Sequence, residues 1–180
     1  MRRLRSGNLR ADWMAPDHVV QKVEKDYLTA VEWLQDSPIL SWAQQWRVAP
    51  DLLAGPYLRR FQHLLLRQRS DRPSPVYGVL RADHALEVRG FSEDGRRCWL
   101  IDHQFDRRMA TYDVRTHERI VTQDLGDSAL VMCLLYDTED ERWKPESLIQ
   151  ELPTGWNSRR NKIALVPELT DSTQRIGRDA

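Results

Sequence analysis

The feature that most constrains this chain is a single change of hydrophobic period. Up to Ser70 the apolar residues recur at three- and four-residue steps. Beyond the breaker cluster from Ser70 to Pro75 they alternate, and no helical period returns between the alternating segments. Strands that follow one another without intervening helices pair antiparallel, so the pattern predicts an α+β chain: helices first, then an antiparallel meander.

The helical half divides into three. Asp17, directly after Pro16, is read as an N-cap, and Val20, Val23, Tyr27, Val31 and Leu34 form one face of the first helix. Lys22, Glu24, Lys25 and Asp26 lie off that face. Ser37 and Pro38 end it and start a second helix, whose buried stripe is read as Ile39, Leu40, Trp42, Ala43 and Trp46. A loop around Val48 to Asp51 leads to a third helix over about Pro56–Arg69, with Tyr57, Leu58, Phe61, Leu64 and Leu65 at helical spacing.

In the second half, 84–91 reads as a strand with a bulge at Gly90, and Ser92 to Gly95 as a hairpin turn. Further strands are predicted at 97–103, 108–114 and 128–136, with a short continuation at 119–123. The 128–136 strand is the most apolar and is placed centrally. Asp137 to Glu141 turns the chain into a last strand from Trp143 to Glu151. Around this single domain of 16–152 stand a basic arm, 1–15, with Arg2, Arg3, Arg5 and Arg10, and an extension, 153–180, whose one apolar cluster is Ile163 to Val166.

Composition narrows the function classes. With 27 basic and 27 acidic residues the chain lacks the positive excess of a general nucleic-acid binder. Two cysteines, Cys98 and Cys133, make neither a disulfide framework nor a four-ligand zinc site. They read as buried thiols, with one inter-strand bridge as the alternative. No run of 18 apolar residues occurs, as a transmembrane helix would need, and the basic start lacks the apolar core of a signal peptide, so a cytoplasmic address is expected. No glycine-rich phosphate loop or serine-nucleophile motif is present, and neither a metal site nor a cofactor is expected.

The order of elements carries a resemblance. A helix over Val19–Trp33, another over Pro56–Gln68, and a strand Leu130–Tyr136 turning through acidic residues into Arg142, Trp143 and Lys144 resembles the nuclear transport factor 2-like superfamily, of the cystatin-like cone and polyketide cyclase/ketosteroid isomerase type. The resemblance covers 17–152 and implies a curved, cone-shaped sheet holding the first helix. It implies no particular chemistry, because such folds host enzymes and binding proteins alike.

Site candidates follow from position. Tyr27 on the first helix and the adjacent Asp102 and His103 on a strand are the acid–base candidates. Neighbouring strand residues face opposite ways, so Asp102 and His103 cannot form a dyad and only one of them can face inward. Asp83 and His84 are read as turn residues. Trp42, Trp46, Trp99 and Tyr112 are the candidates for ligand or partner binding. The resulting expectation is a non-catalytic binding or assembly domain. It would hold a protein partner, a second copy of itself through the sheet, or an apolar small molecule. The alternative is a small-molecule isomerase, cyclase or hydrolase using Tyr27, Asp102 or His103.

Overall fold

A computed structural model of the protein describes residues 15–70, 74–153 and 156. The arm and the extension expected at the two ends lie, but for residues 15, 153 and 156, outside the described residues. Among the described residues three helices pack against an open four-stranded antiparallel sheet. They are α1 (Asp17–Asp36), α2 (Trp42–Leu52) and α3 (Gly55–Ser70), with a 3-10 turn, Ser37–Ile39, after α1. The strands are β1 (Val76–Phe91), β2 (Arg97–Asp113), β3 (Arg119–Asp137) and β4 (Arg142–Leu152), in the spatial order β1-β2-β3-β4. No described helix is long and apolar enough to cross a membrane.

Helix α1 forms where the period placed it, though Pro16 rather than Asp17 is its N-cap. Val23 and Tyr27 face the sheet and join Cys98, Leu100, Met132, Leu134 and Trp143 in the main core cluster. Asp26, expected off the buried face, is only 8% exposed. The reason is a backbone donor: Trp143 N–H, at the start of β4, donates to Asp26 Oδ2 at 3.0 Å. A buried amide needs an acceptor, and here a helix side chain provides it.

Helix α2 differs from the sequence expectation in start, face and end. Ser41 caps it in a reciprocal capping box with Gln44, and only the 3-10 turn follows Ser37 and Pro38. Its buried residues are Ala49 and Leu52, and Ile39 is 58% exposed. The expected loop around Val48 to Asp51 is instead the last part of the helix, passing through Pro50. Proline in a helix interior costs about 3 kcal/mol. That cost is met by burial of Ala49, Leu52 and Leu53 against Ala30, Trp33, Tyr57 and Phe61 of α1 and α3. Helix α3 keeps its expected span, but of its stripe Leu65 is buried and Leu64 exposed.

The strands are longer and fewer than alternation implied. Segments 97–103 and 108–114 belong to one strand, β2, and 119–123 and 128–136 to another, β3. β1 begins eight residues before the expected 84. What separates the shorter segments in sequence is irregular pairing, not a turn. The register of β1 on β2 steps between Arg81 and Asp83, and that of β2 on β3 between Gln104 and Arg107. The expected bulge at Gly90 is present as a step between Val88 and Gly90. The Ser92 to Gly95 turn forms, with Gly95 at φ 69° and its N–H donating to Ser92 O.

The β3–β4 hairpin clamps the sheet to the helices. Asp137 Oδ1 accepts from the amides of Glu139 and Asp140 and so shapes the turn. Lys144, with its side chain 3% exposed, donates to Pro50 O in the last turn of α2 and to Asp137 and Asp140. Burial alone would lower the Lys144 pKa, but the hydrogen bonds to the two carboxylates outweigh it and the net direction is upward. An ammonium at a helix C-terminus also satisfies carbonyls that lack intrahelical partners.

The two cysteines are free and buried. Cys98 lies in the main core, whereas Cys133 pairs across from Trp99 on the other face, within 3.6 Å of Glu146. Facing away from each other across the sheet, they do not form the inter-strand bridge held open as an alternative. Burial pushes the Cys133 thiol up to about 12, and the Cys98 thiol is raised further.

Candidate functional site

Side-chain alternation sets what the helix-covered face of the sheet carries. On β2 that face shows Cys98, Leu100, Asp102 and Gln104. On β1 the paired positions are Val88, Leu86 and His84, with Leu86 opposite Asp102 and His84 opposite Gln104. Asp102 is therefore the inward member of the pair considered in the sequence, and it is 0% exposed.

Its carboxylate is the centre of a closed hydrogen-bond network. Tyr27 Oη donates to Asp102 Oδ2 at 2.9 Å, and Gln104 Nε2 donates to the same oxygen at 2.8 Å. His84 Nδ1 lies 2.9 Å from Oδ1 and 3.1 Å from Oδ2. On its far side, His84 Nε2 is 3.1 Å from Gln35 Nε2. A carboxylate only accepts and an amide nitrogen only donates. The ring therefore donates through Nδ1 and accepts at Nε2, the pattern of the neutral Nδ1–H tautomer. Burial first, and then the negative Asp102, hold the Tyr27 phenol well above its ordinary pKa, so it remains a donor.

Beside this network lies a cavity of 340 Å³ between α1 and the sheet. Its wall is mostly apolar, with Val31 and Leu34 from α1, Leu80 from β1, Met109 from β2, and Leu130 and Met132 from β3. Tyr27, Gln35 and Gln104 turn a flank toward it. Asp102 and His84 do not reach its lining.

One further polar residue is aimed into the cavity by a local irregularity. Four residues of β2, from Gln104 to Arg107, span three residues of β3, from Ser128 to Gly126. The same excess appears against β1. This is a β-bulge. Asp106 sits in it at φ 48°, a left-handed conformation that Asp tolerates better than most residues, and its amide donates to Asp127 Oδ1 at 3.2 Å. The extra residue reverses the alternation. Without it Arg107 would share the outer face with His103 and Phe105; with it Arg107 and then Met109 line the cavity.

The sequence candidates are thus partly brought together. Tyr27 and Asp102, 75 positions apart, are hydrogen-bonded. His103 points to the opposite face, 3.5 Å from Glu87 and stacked on Trp156 at 5.9 Å between ring centroids. There Trp156 also packs against Ile101, Ala129, Val131 and Leu152, covering part of the outer sheet face. Trp42 and Trp46 stack on each other at 5.2 Å, and Trp42 donates its indole N–H to Leu65 O under the Arg69 guanidinium. Tyr112 stacks on Tyr77 at 5.4 Å. None of Trp42, Trp46, Trp99 and Tyr112 lines the cavity. Among the described residues no three His, Cys, Asp or Glu side chains are grouped to hold a metal.

Four residues of the site were not singled out from sequence in this role: Gln35, His84, Gln104 and Arg107. For His84 a signal existed, because it keeps the two-residue step of Leu86 and Val88. For Arg107 none did, since the bulge that turns it inward is invisible to a simple alternation.

Fold and site together define an α+β domain with helices on one face of an open antiparallel sheet and an apolar cavity between α1 and the strands. No protein-family model matches the chain, and no curated protein does. Among solved structures it is similar to the crystal structure of the intermembrane space region of the chloroplast protein ARC6. Identity is 11% and the TM-score 0.53, over 78% of this chain and 99% of that one. At that identity the likeness concerns the fold alone.

Proposed function

We propose that this protein is a non-catalytic binding domain whose ligand, an apolar small molecule, occupies the cavity between α1 and the sheet. The observation that carries the reading is the state of Asp102. A general base needs a carboxylate oxygen within reach of substrate. Asp102 is instead engaged by Tyr27, His84 and Gln104 and lies outside the cavity lining. The network stiffens one wall of a largely apolar chamber, an arrangement suited to holding a molecule rather than transforming it. Taking about 30 Å³ per water-sized group, the chamber suits about ten non-hydrogen atoms. The order of helices and strands also supports our assignment of the chain to the nuclear transport factor 2-like superfamily, whose members include many non-catalytic ones.

Met109 and Met132 both line the cavity and so report on it directly. In protein labelled at the methionine methyl groups, titration with octan-1-ol should shift the Met109 and Met132 resonances saturably. Leu130→Trp, which fills the chamber from β3, should abolish the shifts without unfolding the protein. Unmoved Met109 and Met132 signals at saturating octan-1-ol would count against the reading.

A further inference from the structure

Arg107 is the one charged residue among the described residues that line the cavity. Its Nε is buried and has no hydrogen-bond partner. Nor does any salt bridge or hydrogen bond among the described residues engage its guanidinium, although Asp106 is its neighbour in the chain and Asp127 is held in the same bulge. A buried donor left unpaired has given up water without gaining a partner, so native proteins rarely keep one. Nor is the residue there by default. A regular strand would send it to the outer face, and the bulge with Asp106 at φ 48° is what turns it inward. Strained backbone that delivers an unpaired cation into an apolar chamber is a feature with a cost, and a bound anion would compensate it.

We propose that the cavity takes an apolar monocarboxylate, its hydrocarbon part against Val31, Leu34, Leu130 and Met132 and its carboxylate on the Arg107 guanidinium. This rests on the binding role proposed above and specifies its ligand class. A guanidinium offers a planar fork of donors that matches a carboxylate in two-point contact. Among the described residues no carboxylate lines the chamber to compete for it. Tyr27 spends its single hydroxyl proton on Asp102, and of the described lining residues Arg107 alone brings a positive charge to an anion. The size estimate restricts the ligand to about ten non-hydrogen atoms, the range of a medium-chain fatty acid or a small aryl-alkanoic acid.

Titration calorimetry with octanoate, octan-1-ol and octylamine separates this proposal from the reading beneath it. These probes share one chain and differ at the head group. The wild-type protein should bind octanoate most tightly and octylamine least. Arg107→Gln should weaken octanoate about 10- to 100-fold, the effect of losing charge-assisted hydrogen bonds. It should leave octan-1-ol unchanged within about twofold. Arg107→Lys keeps the charge without the fork and should recover part of the octanoate affinity, which a merely misfolded variant would not. If octan-1-ol or octylamine binds the wild type as tightly as octanoate, the anion assignment falls and the apolar cavity stands. If no probe binds, both fall.

Discussion

Asp102→Ala should lower the stability of the protein by about 3–5 kcal/mol, measured by urea unfolding with an unchanged m-value. Three buried donors lose their acceptor at once: Tyr27 Oη, His84 Nδ1 and Gln104 Nε2. Each unpaired donor costs about 1–3 kcal/mol, and the total falls below the simple sum because the cavity can admit water to some of them. Tyr27→Phe, which removes one donor and leaves the carboxylate its others, should cost only about 1–2 kcal/mol. That contrast distinguishes a structural hub from a catalytic base, whose removal would abolish turnover and spare the fold. A loss below about 1 kcal/mol for Asp102→Ala would mean the network does not support the sheet–helix contact as described.

Trp143→Ala should cost a similar amount, about 3–5 kcal/mol, for a different reason. Trp143 is 4% exposed and sits where the closing hairpin meets α1. Its ring is tilted on Tyr136 at 5.1 Å and edge-on to Phe91 at 5.7 Å, and it belongs to the same core cluster as Val23 and Tyr27 of α1. Truncation leaves a void between strands and helix that neither can close without moving the other. Trp143→Phe keeps most of the packing and should cost less than half as much. Thermal unfolding of the two variants checks both figures. Equal effects would show that the indole's size is not what matters.

The contrast between these two positions shows which parts of the molecule its sequence carries openly. Trp143 was legible, since an aromatic following an acidic turn after the most apolar strand can hardly avoid packing on the helix. The Tyr27 face was legible too, because its helical period is unbroken from Val20 to Leu34. Asp102 was half legible: alternation offered it or His103 as the inward residue, and only the placement of α1 on the sheet chooses. His84 lay hidden in what read as a turn, because β1 continues through Asp83 and His84 where a break was expected. The two irregular crossings, at 104–107 and at 124–126, hid the length of β2 and β3. A bulge keeps the ladder going while breaking the two-residue rhythm by which a strand is recognised. Arg107 owes its inward position to that break. Asp26 illustrates the converse, a charged side chain on the buried side because a distant amide, that of Trp143, needs it.

The chamber between α1 and the sheet is where the proposed ligand sits. A crystal of the protein grown with 8-bromo-octan-1-ol, with data collected at the bromine edge, tests it without reference to Arg107. An anomalous peak should appear enclosed by Val31, Leu34 and Met132, and should be absent when Leu130→Trp fills the chamber. Bromine found only on the outer sheet face, against Trp99 or beside Trp156, would contradict it.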